Sequence, residues 1–184
     1  MANNNPIQNR FETRLSGEGG QGVIMGGAIL AEAAILHEGR YAVQSPTYGS
    51  RVRGGPTKVD VVISDEPVVF PHATAIDLFV CTDQKPYDLY RNRIKDDAIV
   101  VVDTNLVKEV GDTRSWKIYK VPLINETKKR VGNIVLTSVV TLSMTQKLTG
   151  IIQYDHMVEF IKEWAPADFL EMNLKAIEVG QSLV

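Results

Sequence analysis

The chain is poor in the residues that build a self-sufficient reactive centre. It holds one cysteine, Cys81, among 184 residues. A disulfide within the chain is therefore excluded, as is a cysteine-ligated iron–sulfur cluster, which needs several thiolates. Three dispersed histidines, His37, His72 and His156, offer no spacing for a structural zinc site. No apolar run reaches the roughly 20 residues of a membrane span. The opening MANNNPIQNR lacks the charged-then-apolar order of a secretion signal. Charge of one sign is also lacking: 20 basic against 22 acidic side chains give a net charge of −2, which excludes a strongly basic nucleic-acid binder. Neither a G-x-S-x-G elbow nor a G-x-x-x-x-G-K-S/T phosphate loop occurs. These absences predict a soluble, cytoplasmic protein with no nucleic-acid or membrane partner, no metal ligands and no catalytic residue of its own.

What is present suits one domain with a real core, since 44% of the residues are hydrophobic. Phe11, Thr13 and Leu15 alternate with Glu12 and Arg14, the pattern of a short strand. A glycine turn follows at Gly17-Glu18-Gly19-Gly20-Gln21-Gly22, and then an Ala/Ile/Leu-rich helix over Val23 to His37, with Gly39 placed as its C-terminal cap. Further strands are predicted at 41–44, 58–64, 75–81, 98–102 and 116–121, and helices at 87–94, 128–148, 155–164 and 167–179. In the first of these helices, 87–94, Leu89 and Ile94 are expected to face inward. Strands alternating with helices predict an α/β domain with a mostly parallel sheet, closed by C-terminal helices.

Two segments carry chemistry. Gly17, Gly19 and Gly22 satisfy G-x-G-x-x-G between a strand and a helix, where free N–H groups favour an anion. A dinucleotide site also needs Asp or Glu about 20 residues on; that stretch reads Tyr41-Ala42-Val43-Gln44-Ser45, so NAD binding is disfavoured. A phosphate of another cofactor and plain helix–strand packing both remain open, and Glu18 favours packing because it repels an anion. The second segment is the loop 45–57, SPTYGSRVRGGPT. Arg51, Arg53 and nearby Lys58 bracket Gly54-Gly55-Pro56. Guanidinium forks suit phosphate or carboxylate, paired glycines permit close approach, and Tyr48 offers an interface ring. Cys81 reads as a buried structural thiol. Asp83 and Asp103 follow buried strands, where both ligand sites and capping residues occur.

Taken in order, LSGEGGQGVIMGGAILAEAA, then YG-x-x-x-RGG, then VVISDEP resembles the gamma subunit of the 2-oxoacid:ferredoxin oxidoreductases. The resemblance implies a Rossmann-like three-layer sandwich over residues 11–184, a single gamma domain of the pyruvate/ketoisovalerate oxidoreductase catalytic type, after a flexible tail at 1–10. It implies a role in a complex that oxidatively decarboxylates a 2-oxoacid to its acyl-CoA. That complex carries thiamine diphosphate, Mg2+ and iron–sulfur clusters on other domains, takes coenzyme A as co-substrate, and passes electrons to ferredoxin or, through a flavin subunit, to NAD. The implied partners are alpha, beta and ferredoxin-like subunits. The residues matching the family pattern are Gly17, Gly19, Gly20, Gln21, Gly22, Tyr48, Gly49, Arg53, Gly54 and Gly55, and Arg51 joins them as a candidate for binding CoA. Arg51 stands close to where the family often has an acidic residue before RGG, which reverses the local charge. The GGP form is nearer the 2-oxoglutarate type than the pyruvate type, with an aromatic 2-oxoacid such as an arylglyoxylate as the other substrate class.

Overall fold

A computed structural model describes residues 9–47, 54–111, 113 and 115–184. Six strands form one sheet in the order β2-β3-β1-β4-β5-β6. They are β1 (Arg10–Glu18), β2 (Tyr41–Thr47), β3 (Pro56–Ser64), β4 (Ile76–Cys81), β5 (Ile94–Asp103) and β6 (Lys117–Val121). β1, β4, β5 and β6 are parallel neighbours, whereas β3 runs antiparallel to both β1 and β2. The sheet is thus mostly parallel, as expected, with one reversed strand introduced by the β2–β3 hairpin.

Helices α1 (Val23–Leu36), α3 (Leu123–Glu126), α4 (Thr137–Thr149), α5 (Tyr154–Trp164) and α6 (Leu170–Leu183) supply the cover for one face. There Leu15, Val59, Val61, Ile63, Leu78, Val80 and Val101 share a core with Ile29, Leu30, Val139, Val140, Met144, Phe160 and Ile177. Against the other face lies the short α2 (Gln84–Tyr90). There Phe79, Cys81, Val100 and Val102 pack with Tyr87, Val107 and Val110. These are the three layers of a Rossmann-like sandwich. Among the described residues no helix is long and apolar enough to cross a membrane.

β1 departs from its sequence pattern. Alternation suggests a strand with one wet face, yet Glu12 and Arg14 are as buried as Phe11 and Leu15. Burying a charge is tolerated only when it is paired and hydrogen-bonded. Arg14 meets that condition with a forked pair to Asp60 (Nε–Oδ1 2.6 Å, NH2–Oδ2 3.0 Å) and NH1 bonds to Asn92 Oδ1 and the Tyr90 carbonyl. Glu12 accepts from the Thr74 and Ala75 amides and from Arg10.

Other boundaries also move. Ile94 opens β5 rather than ending a helix, and Leu89 is exposed while Tyr87 takes the inward position. The long helix expected at 128–148 is broken. A π turn over Thr127–Val131 ends at Gly132 (φ +90°), Asn133 caps a 3-10 turn over Ile134–Leu136, and only then does α4 begin. β2 extends to Thr47 and β3 starts at Pro56, which shortens the predicted loop.

Candidate functional site

The glycine turn and the base of the β2–β3 hairpin meet at one place. β1 pairs with β3 as far as Gly17↔Thr57 and Glu18↔Pro56, so the described base of the hairpin lies beside the turn. Gly19 N–H donates to the Gly55 carbonyl at 3.0 Å. The Glu18 carboxylate lies beside Gly54, which has φ +71°. Of the sequence candidates, Gly17, Gly19, Gly20, Gln21, Gly22, Gly54 and Gly55 are thereby gathered at the carboxyl ends of the parallel strands. Tyr48, Gly49, Arg51 and Arg53 lie outside the described residues. Lys58 is not part of the group: its Nζ is bound to Asp60 Oδ2 at 2.8 Å, which corrects the expectation that it assists the two arginines.

The turn is wound on itself. Gln21 N–H donates to the Glu18 carbonyl at 3.2 Å, and Gln21 Oε1 accepts from Glu18 N–H at 2.9 Å and from the Thr82 hydroxyl at 2.5 Å. The Glu18, Gly19 and Gln21 amides are thus engaged within the chain. Two of its glycines are dictated by space. A Cβ on Gly17 would fall 2.1 Å from Thr82 Oγ1. Gly22 caps α1 at φ +76°, and a Cβ there would meet the Val135 carbonyl oxygen at 2.3 Å. Gly20, by contrast, faces open space.

Behind the turn is a narrow cavity of about 10 Å³, room for about one water, between Ser16, Gln21, Val23, Thr82 and Ser138. β1 and β4 lead their chains to opposite sides of the sheet, so their carboxyl ends form the topological switch point where open α/β sheets bind ligands. Here α4 and the segment before it fill most of that crevice. The cavity among the described residues is too small to take a nucleotide.

The remaining candidates are structural. Asp103 is fully buried; Oδ1 accepts from the Asn105 and Leu106 amides and Oδ2 from Ile124 N–H at 2.8 Å. Asp83 caps α2 by accepting from Lys85 N–H. Burial pushes the Cys81 thiol up to about 12, with Sγ donating to the Asp83 carbonyl. A single enclosed, protonated thiol does not fit an iron–sulfur cluster. Among the described residues no three His, Cys, Asp or Glu side chains are grouped to hold a metal. His37 and His156 sit where α1 meets α5, facing Glu163 and Glu38, and His72 bonds Ser45.

The fold and this surface define a Rossmann-like α/β domain whose glycine turn and hairpin root meet at the switch point of the sheet. The chain belongs to the pyruvate ferredoxin/flavodoxin oxidoreductase family, which it matches over residues 12–183. It is 38% identical to the 2-oxoglutarate synthase subunit KorC of Methanocaldococcus jannaschii over 97% of this chain and 96% of that one. It is 33% identical to KorC of Methanothermobacter thermautotrophicus, covering 97% of each. The keto/oxoacid ferredoxin oxidoreductase gamma subunit of Geobacter sulfurreducens superposes with a TM-score of 0.85 at 34% identity, covering 95% of both chains.

Proposed function

We propose that this chain is the gamma subunit of a cytoplasmic 2-oxoacid oxidoreductase of the 2-oxoglutarate type, acting as one domain over residues 11–184. The end-to-end similarity to the KorC subunits supports 2-oxoglutarate as the oxoacid and ferredoxin as the electron acceptor. Thiamine diphosphate, Mg2+ and the iron–sulfur clusters reside on partner subunits of alpha, beta and ferredoxin-like type. When bound there, they supply the decarboxylation and electron-transfer chemistry.

In this reading the gamma chain closes the active site from one side and binds coenzyme A. The observation that carries it is the Gly19–Gly55 tie, which fixes the root of the arginine-bearing hairpin loop against the glycine turn. The Glu18, Gly19 and Gln21 amides are engaged within the chain, and the phosphate-binding groups in this reading are Arg51 and Arg53, whose forks suit a CoA phosphate. Gly54 and Gly55 permit close backbone approach to the ligand, Tyr48 packs beside it, and Gly20 leaves the turn surface clear. Closing this side also keeps water from the reacting centre.

The test is Arg53→Ala in the reconstituted complex, with turnover measured against CoA concentration. The KM for CoA is expected to rise by about tenfold with assembly intact, the loss of one charge-assisted contact. Normal assembly, CoA dependence and turnover would together overturn the loop's role.

A further inference from the structure

The net charge of −2 hides a polarised molecule. Residues 117–131 carry five basic side chains (Lys117, Lys120, Lys128, Lys129 and Arg130) and a single acid, Glu126. The rest of the chain holds fifteen basic against twenty-one acidic residues. The basic stretch forms the β6 edge of the sheet and the turns that follow it.

Among the described residues its four lysines are not neutralised. Arg130 is spoken for, bonding Ser182 and lying 3.8 Å from Glu126. Lys117, Lys120, Lys128 and Lys129 are all exposed, and none makes an ion pair among the described residues. Lysines elsewhere are commonly engaged: Lys58 with Asp60, Lys95 with Asp77 and Lys147 with the Gln181 carbonyl. Tyr119 and Val121 turn toward the helix-covered core and Ile118 toward the opposite one, so by strand alternation Lys117 and Lys120 straddle the edge. The strand rises about 3.3 Å per residue and the helical turns after it about 1.5 Å, which keeps the Cα atoms of all four lysines within about 25 Å of one another.

Lysine on an edge strand has a familiar use: it blocks pairing with a stray strand. That accounts for Lys117 and Lys120. It does not account for Lys128 and Lys129, which lie beyond the strand in the π turn. We infer that this border docks on an acidic surface of a partner subunit of the oxidoreductase complex. The lysines that bar an added strand require the partner to present a folded face rather than an extended segment. Four exposed lysines spread along a border suit a protein face better than a small anion, which needs its donors converged on one point. Charge matching of this kind sets the association rate and the register more than the final affinity, and it is screened by salt.

This inference rests on the proposed subunit role, and the experiment separates the two. The tagged chain is coexpressed with the other subunits of its complex, and their retention is measured along a salt series. The wild-type chain is expected to hold its partners. The Lys117→Glu/Lys120→Glu/Lys128→Glu/Lys129→Glu variant is expected to bind at least about tenfold more weakly at low salt, with the gap narrowing as salt rises. A control reversing exposed lysines elsewhere, Lys85→Glu/Lys162→Glu/Lys175→Glu, is expected to match wild type, and thermal melting checks that both variants fold. If the folded quadruple variant retains partners with the wild-type salt profile, the docking inference is wrong. If it keeps its partners but shifts the CoA dependence, the border is a nucleotide site and the inference falls too. If the wild-type chain retains nothing at any salt, the subunit role itself fails.

Discussion

Gly19 and Gly55, 36 positions apart in the chain, are joined by a 3.0 Å amide-to-carbonyl bond that binds the glycine turn to the root of the hairpin loop. The two neighbouring glycines of the turn answer to different constraints. Gly17→Ala puts a methyl into Thr82 and Gln21 and is expected to destabilise the fold by about 2–3 kcal/mol, as overpacking of a tight site does. Gly19→Ala meets its nearest atom, the Gly54 amide nitrogen, at 3.4 Å and needs no unusual φ, so its stability is expected to stay within about 1 kcal/mol of wild type. Urea unfolding of both variants decides this; equal losses would show that space around Gly17 is not the constraint. A folded Gly19→Ala chain can then be assayed for CoA dependence without a stability artefact.

Arg14 and Asp60 predict an acid limb of stability. Burial alone would raise the Asp60 carboxyl, but hydrogen bonds from Arg14 and Lys58 outweigh it and hold the group below its ordinary value. A carboxylate with a depressed folded-state pKa contributes its full stabilisation above its unfolded pKa, and loses it as pH falls through the folded value. The loss therefore falls below about pH 4. Glu12 behaves alike: burial opposes ionisation, and the Ala75 amide, Arg10 and the Thr74 amide overcome it. Asp60→Asn strands Arg14 and is expected to cost about 3–5 kcal/mol at pH 7, with a shallower acid limb than wild type. Unfolding curves between pH 3 and pH 7 measure both, and parallel limbs would rule out the Asp60 contribution.

Cys81 is expected to be silent toward thiol reagents in the folded chain at pH 8, because its thiol is enclosed and its pKa stands at about 12. Labelling by a disulfide reagent should appear only with denaturant, at the unfolding midpoint. In the assembled complex, Cys81→Ala should leave the iron content unchanged. Fast native labelling, or loss of iron, would contradict this picture.

Asp103 holds the turn after β5 through the Asn105 and Leu106 amides and ties it to the start of α3 through the Ile124 amide. Asp103→Ala removes the acceptor of the half-buried Ile124 amide and loosens the turn, and is expected to destabilise by about 1–3 kcal/mol. Asp103→Asn, which keeps one acceptor oxygen, should recover part of that loss. Thermal melts of the pair test the assignment, and an Ala variant as stable as wild type would refute it.

Much of the architecture was legible because its signals are local. The apolar runs of β4 and β5, the glycine turn leading into α1, and the Pro166 stop after α5 all declare themselves within a few residues. What escaped depends on distant partners. Glu12 and Arg14 look like the wet side of a strand until Asp60, Thr74 and Asn92 close over them. One hint was present: an aspartate set into the apolar run VDVVIS implies a buried cation opposite. The break before α4 was also readable, since Gly132-Asn133 pairs a helix-ending residue with a capping one. At the site, the sequence marked both glycine segments but not their contact, because antiparallel pairing of β1 with β3 is set by register rather than by any local motif. The surplus of lysine around β6 was visible only as composition until the fold put it on a border.

The position of β1 has a consequence for biosynthesis. It is made before the other strands yet lies inside the sheet, between β3 and β4, which appear by residue 81. The helices α4 and α6 that help cover its apolar face span residues 137–149 and 170–183. At translation speeds of about 5–20 residues per second, that face has only α1 to cover it for about 5–20 seconds after the central strands have left the ribosome. Chains cut short before α6 leave part of that face uncovered and are expected to accumulate as aggregates.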